Sequence, residues 1–419
     1  MFCKWKTSQN QYGNSMKRNF LLLFFLSVLL QINIYSQQSA APERIILNLT
    51  ENPSREIAVT WRTEQQFTNS EIQFAQSTSW IEFKNNVIKV PAIEENFMTD
   101  DGKAVYHYSA ILKNLQPKTN YLYRVGHDSI WSEWNQFTTA SNENIPFKFL
   151  FIGDPQNDIK EHCSRVFRQA YKTAPDAALL LFTGDLVTNT SDILWSEFFD
   201  AGGFIFRTIP SILTPGNHEH KLVKVDGKFQ RSKILDPSWN VHFTLPENGP
   251  KEFKESSYYV DYQGVRFIIL NSHYNVKEQA VWVEKVLQNN SNKWTVAAFH
   301  VPIYSMGSGR DSKVTREPLM PLFDKYGVDL VLTGHDHAYG RSKKIYGGKV
   351  VPDSSKGTVY VVSVSGPKMY ALNPLYKDLM AKTAANVSLF QVIYVEKNQL
   401  KYQSFTADGN LFDTFFLTK

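Results

Sequence analysis

The sequence predicts an all-β module followed by an α/β domain. Three observations predict this. Residues from Pro42 to Thr139 alternate in strand fashion, whereas from Ile145 onward strand-like and helix-like stretches take turns. In the second part, five apolar runs each end in Asp, Asn or His. The length of 419 residues accommodates two domains, and 42% hydrophobic with 14% aromatic residues suits a core-forming chain.

The N-terminus reads as a secretory signal peptide over residues 1–36. Met16-Lys17-Arg18 supplies a basic region, Phe20 to Leu30 a short apolar core, and Ser36 a small residue before cleavage. The apolar run is too short for an ordinary membrane span, so no span is expected after cleavage, and the protein is expected to be secreted or periplasmic. An uncleaved anchor is the competing reading, and Met16 can itself serve as the start. The formal charge of +5 includes Lys4, Lys6, Lys17 and Arg18; with no acid in that segment, the mature chain carries about +1. A nucleic-acid footprint is not expected. Of the two cysteines, Cys3 precedes the apolar run and Cys163 is left alone, so no intrachain disulfide forms. Cys163 reads as a small core residue.

Residues 42–140 form the first predicted domain. Ile57-Ala58-Val59-Thr60-Trp61 offers a buried aromatic strand. Leu115-Gln116-Pro117-Lys118-Thr119-Asn120-Tyr121-Leu122-Tyr123-Arg124-Val125 resembles the signature of fibronectin type III-like sandwiches, which implies a tyrosine-corner contact for Tyr121. Trp131 and Trp134 close the segment and are expected in the core. Ser141-Asn142-Glu143-Asn144 is a polar linker.

Residues 145–419 form the second. Helices are expected at Asp158 to Lys172, Ser191 to Phe199, Glu278 to Gln288 and Pro318 to Tyr326. His220 to Glu255 is long and polar and reads as an irregular surface insertion over the site. Tyr258 to Leu270 is a hairpin turning at Gln263-Gly264. The strands after Arg341 are Thr358 to Val364, Leu389 to Val395, Leu400 to Phe405 and Leu411 to Leu417. The expected architecture is two mixed sheets face to face with helices outside.

The five run ends carry the chemistry. They are Gly153-Asp154-Pro155-Gln156, Gly184-Asp185, Gly216-Asn217-His218-Glu219, His300-Val301-Pro302 and Gly334-His335-Asp336-His337. Each has a bland reading as cap or turn chemistry. Five in one strand-end position point to a metal site, since strand ends of a parallel sheet open onto one crevice. In this order the motifs resemble the calcineurin-like metallophosphoesterase superfamily, in its purple acid phosphatase-like branch. The resemblance covers nearly all of the mature chain. It implies two metal ions, bridged by Asp185, with Asp154 and His337 on the first and Asn217, His300 and His335 on the second. Hard oxygens mixed with imidazoles suit Zn, Mn or Fe, as a divalent or mixed-valence pair. It implies hydrolysis of small phosphomonoesters by metal-bound hydroxide, with His218 as leaving-group proton donor or phosphate contact.

Three departures qualify the resemblance. Thr188 stands where purple acid phosphatases place a tyrosine, so a tyrosinate-to-iron colour is not expected; Tyr339 is a phenol that can substitute. Gln156 stands at an extra-ligand position, where its carbonyl can bind the first metal or its amide a water. Arg310 stands where the plant and animal enzymes have a further histidine; it can grip phosphate or stay a solvated loop residue. Asp336 reads as a turn group, not a ligand. A phosphodiesterase on nucleotides, lipid headgroups or polymer phosphates is the alternative enzyme. A non-catalytic surface-binding protein is the alternative outside enzymes. Oligomeric state is not legible.

Overall fold

The computed structural model describes residues 39–419; the expected signal peptide, residues 1–36, lies outside the described residues. Two large mixed sheets pack face to face. The first has ten strands, in the order Leu411–Thr418, Gln399–Thr406, Leu389–Val395, Phe147–Ile152, Leu179–Phe182, Ser211–Leu213, Glu43–Asn48, Ile57–Thr63, Ala104–Leu112 and Ile93–Met98. The second has seven, in the order Tyr258–Tyr262, Val265–Leu270, Trp294–Phe299, Leu330–Thr333, Val359–Val362, Tyr339–Ser342 and Met380–Ala384.

The unbroken apolar runs follow from burial on both faces of a strand. In the seven-stranded sheet, Phe267, Ile269, Val296, Ala298, Leu330 and Leu332 join the core between the sheets. Their neighbours Ile268, Leu270, Ala297, Phe299 and Val331 pack instead against helices Val276–Gln288 and Lys313–Tyr326. The latter helix starts before the expected Pro318. The proline sits in its second turn, where its missing N–H removes a single ladder bond. Strands Phe147–Ile152, Leu179–Phe182 and Ser211–Leu213 pair in parallel, as do Trp294–Phe299 and Leu330–Thr333. Parallel pairing brings the five motif-bearing strand ends to one edge.

The N-terminal all-β domain is not closed on itself. Its strand Glu43–Asn48 lies beside Ser211–Leu213, with Asn48 opposite Ser211 and Leu49 N–H donating to the Ser211 carbonyl at 3.2 Å. Opposing it is a five-stranded sheet built on Glu71–Gln76 and Asn120–His127. Trp61 is fully buried, and the Tyr121 hydroxyl accepts the Gln116 N–H at 2.8 Å, the expected corner contact. Trp131 and Trp134 depart from expectation: both are half-buried at the edge, with the Arg124 guanidinium 4.4 Å and 4.8 Å from their rings. A cation held over two indoles keeps them part-way into solvent. The stretch expected to be irregular is ordered. His220–Val225 and Lys228–Leu235 form an antiparallel ribbon, and Asp226-Gly227 turns it with φ of 49° and 77°. Asp-Gly is strongly favoured where both turn residues need positive φ. Helix Ser238–His242 follows.

A buried polar brace ties the domains. Arg44 Nη1 donates to Asp192 Oδ1 at 2.8 Å and to His242 Nε2 at 3.0 Å; Arg62 Nη1 reaches Asp192 Oδ1 at 2.7 Å and its Nε reaches Glu43. His242 Nδ1 donates to the Ser238 carbonyl at 2.6 Å. With one nitrogen donating and the other accepting from a guanidinium, His242 must be neutral. His107 lies edge-on to it, ring centroids 4.7 Å apart. Burial first, then Arg62 and Arg44, push His107 down to about 3; burial, His107 and Arg44 push His242 well below its ordinary value. Both groups bind protons in the unfolded chain near pH 6.5 but not in the folded one. Stability from this source is therefore complete above about pH 6.5 and falls as pH drops toward the folded values. Each imidazole should remove about 1.4 kcal/mol per pH unit in that window. Urea midpoints should fall between pH 7 and pH 5, less steeply in His107→Phe; a midpoint that stays flat or rises would contradict this account.

Candidate metal centre

Four of the motif residues sit past strand ends on backbone few side chains adopt. Asp154, Asp185, His335 and His337 have φ of 37°, 48°, 74° and 45°. Such left-handed residues carry strain that surrounding structure must hold. Glu219 does much of the holding. Fully buried, it accepts backbone N–H groups from Asp185 (2.9 Å), Leu186 (2.8 Å), Val187 (3.2 Å) and Gly216 (2.7 Å). Burial and the Asp185 charge raise its carboxyl to about 7. Glycine is required twice at contact distance: a Cβ on Gly216 would collide with Asp185 Oδ1, and one on Gly334 with Asp154 Oδ1.

The acceptor atoms converge. Asn217 Oδ1 is 3.1 Å from His300 Nε2 and 3.0 Å from His335 Nδ1; those two nitrogens are 3.0 Å apart. His300 Nε2 is 3.2 Å from Asp185 Oδ2, and His337 Nε2 is 3.8 Å from Asp154 Oδ2. Backbone carbonyls set two tautomers. His300 Nδ1 donates to Thr183 at 2.8 Å and His337 Nδ1 to Lys368 at 3.1 Å, so each points Nε2 inward. That is how ligand histidines are usually held. Both oxygens of Asp154 are buried without a hydrogen-bond partner. Such atoms are costly unless a cation or water meets them. Asp185, His300 and His335 form one group that could hold a metal ion, and Asp154, Asp185 and His337 another; Asp185 is common to both.

The charges agree with a cation-seeking cluster. Burial raises Asp154 well above the carboxylate range against His300, and the neighbouring Asp185 adds to it. Burial opposes ionisation of Asp185 too, but His300 and His218 carry it below the usual range. His300, against its burial, is held up to about 9 by Asp185 and Asp154. Two buried carboxylates draw in positive charge, and a proton on His300 answers part of it.

The remaining candidates are also placed. Gln156 brings its terminal amide to 2.8 Å from Asp185 Oδ2 and 2.9 Å from His337 Nε2, beside the second group. His218 has its N–H on Asp185 Oδ1 at 2.9 Å, its Nδ1 on the Thr188 carbonyl, and its Nε2 3.9 Å from Asp185 Oδ2. Arg310 Nη1 donates to the His335 carbonyl at 3.0 Å and pairs with Asp336 Oδ1 at 3.1 Å. It braces the His335–His337 turn and is not a freely solvated loop arginine. Asp336 also accepts the Met306 N–H, which accounts for its turn role. Tyr339 is turned away: its hydroxyl donates to Asp413 Oδ2 at 2.7 Å. Sequence reasoning missed the Glu219 clamp, although the residue stood inside a quoted motif. It also missed Tyr370, whose ring lies 4.9 Å from that of His337.

Comparison with known families decides what this edge belongs to. The model for the purple acid phosphatase N-terminal domain matches residues 42–139, and that for calcineurin-like phosphoesterases matches residues 147–339, every motif included. The chain belongs to the purple acid phosphatase-like calcineurin-type phosphoesterases. Such proteins are metal-dependent phosphoric ester hydrolases, and their fold implies a binuclear metal centre. Among its relatives, an uncharacterized protein of Mycobacterium tuberculosis is 26% identical over 382 residues, 78% of this chain and 70% of the relative. Acid phosphatase type 7 of Homo sapiens is 26% identical over 388 residues, 84% of each. A purple acid phosphatase structure from yellow lupin (Lupinus luteus) seeds shares the fold, with TM-score 0.76, 20% identity, and 91% of this chain and 75% of that one covered. No helix among the described residues of this phosphoesterase is long and apolar enough to cross a membrane.

Proposed function

We propose that this chain is a secreted dinuclear phosphomonoesterase. One observation carries the dinuclear reading: the two candidate ligand groups share the Asp185 carboxylate. Asp154, Asp185, His337 and the Gln156 carbonyl would hold one cation, with the Gln156 amide turned over, since its two ends are assigned and not distinguished by shape. Asp185, Asn217, His300 and His335 would hold the other. When bound, Zn, Mn or Fe ions there neutralise phosphoryl oxygens and make water a nucleophile near neutral pH. The chain does the rest. Glu219 keeps Asp185 aimed between the two groups. His218, with Nδ1–H fixed by Thr188, points Nε2 into the site; as the imidazolium, with a second proton on Nε2, it would hand that proton to the departing alkoxide and be left neutral. Arg310 serves the substrate by holding the His335 turn. Secretion rests on the basic-then-apolar order of residues 17–30.

Elemental analysis of protein incubated with Zn or Mn and purified without chelator should give two metals per chain, together with turnover of phosphomonoesters ahead of diesters. Loaded with iron, the protein should be colourless or nearly so. Thr188 offers a hydroxyl that accepts the Asn157 N–H at 3.1 Å, and Tyr339 is spent on Asp413. One metal or none would sink the dinuclear reading, and a strong band in the purple region would show a phenolate at the iron, with Tyr370 the first to replace.

A further inference from the structure

The ribbon His220–Val225/Lys228–Leu235 reaches the site through one side chain. Arg231 Nη2 lies 3.1 Å from His218 Nδ1 and donates to the Thr188 carbonyl at 2.9 Å, while Nη1 donates to the His220 carbonyl at 3.1 Å. In the ribbon, Leu222 is opposite Arg231 and Lys224 is opposite Phe229. Residues opposite each other, and those two apart, share a face. The face that meets His218 therefore continues outward as Leu222, Lys224 and Phe229. The next pair out is about 7 Å farther along, roughly the span of an aryl ring and its ester oxygen.

That outer face is built unlike an ordinary surface. Phe229 is 69% exposed and Leu222 51% exposed, with the Lys224 ammonium 5.8 Å from the Phe229 ring. This face carries the cations Lys224 and Arg231 and no carboxylate; the ribbon's one acid, Asp226, is in its turn. Apolar side chains left open beside a site, among cations, suit a ligand with a flat apolar part and negative charge.

We propose that this face is the leaving-group subsite, and that its preferred substrates are aromatic phosphate monoesters bearing a second anion beyond the ring. The inference rests on the monoesterase reading above. The ring lies on Phe229 and Leu222, the distal anion meets Lys224, and Arg231 keeps the ribbon in register with His218. Arg231 is a positioning residue; Phe229 and Lys224 set specificity.

The test uses metal-loaded full-length protein and three esters: glycerol 2-phosphate, phenyl phosphate and 4-(carboxymethyl)phenyl phosphate, whose two phenols have similar leaving tendencies. Relative kcat/KM should rise in that order. Phe229→Ser should cut the ratio of phenyl to glycerol ester roughly 5–10-fold, the scale of one aromatic pair. Lys224→Ser should cut the ratio of carboxymethylphenyl to phenyl ester about 2–5-fold, as for an exposed ion pair. Val225→Ser, on the opposite face, should leave both ratios alone. Binding of benzylphosphonate, read by calorimetry, should weaken in Phe229→Ser in parallel. Unchanged ratios and unchanged benzylphosphonate affinity would overturn the proposal. So would co-sedimentation with phosphatidylglycerol vesicles that Phe229→Ser abolishes while the ratios stay fixed, since the ribbon would then be a lipid contact. Failure to turn over any of the three esters would defeat the monoesterase reading instead, and phosphonate binding would still judge the subsite.

Discussion

Asp185→Asn is expected to lose metal and activity together. The Asp185 carboxylate reaches His300, Gln156 and the His218 N–H at once, 3.2 Å, 2.8 Å and 2.9 Å away. An amide of the same shape keeps the packing but has no charge to place between two cations. Two dications about 4 Å apart repel by roughly 16 kcal/mol at an effective dielectric near 20. Even a small part of that left uncompensated exceeds the roughly 3 kcal/mol that corresponds to a hundredfold in rate. Metal content should fall below two per chain, and turnover at least about a hundredfold with it. Wild-type metal content with wild-type turnover would remove Asp185 from the centre.

His218→Ala should separate the two losses. The ring meets the Thr188 carbonyl, Arg231 and the edge of Asp185, and it belongs to neither candidate metal group. Metal content should stay at the wild-type level while turnover drops by roughly 10²–10⁴-fold, the usual worth of a placed general acid. Alkyl phosphates should suffer most, because nitrophenolate leaves with little protonation. Equal loss on both would make the ring a phosphate contact, and loss of a metal would make it a ligand.

Much of this centre was legible before the structure. Five runs of apolar residues ended in ligand-type side chains because a strand buried on both faces must be apolar throughout, and a parallel sheet aligns the ends. What could not be read depends on partners far apart in sequence. Glu219 shows its role only when its carboxylate meets the Asp185 turn. Tyr339 looked available until Asp413, more than seventy residues on, was seen to take its hydroxyl. Trp131 and Trp134 looked like core residues because nothing local announces that Arg124 lies across them. The ordered ribbon was a different kind of miss, since Asp226-Gly227 is a local turn signal that stood in the sequence throughout.

The pairing of Glu43–Asn48 with Ser211–Leu213 has a consequence for how the chain matures. The first described strand finds this neighbour only after the opening strands Phe147–Ile152, Leu179–Phe182 and Ser211–Leu213 of the second domain have been made, so the N-terminal domain has to wait with that edge open. Pairings of such separation are slow to form, and an unpaired edge recruits other chains meanwhile. Strand Ser211–Leu213 leads directly into Gly216-Asn217, so the strand that closes this edge is also the one that carries Asn217 to the candidate centre. A fragment beginning at the linker would not be a smaller enzyme: it would present the strand that carries Asn217 as a raw, aggregation-prone border.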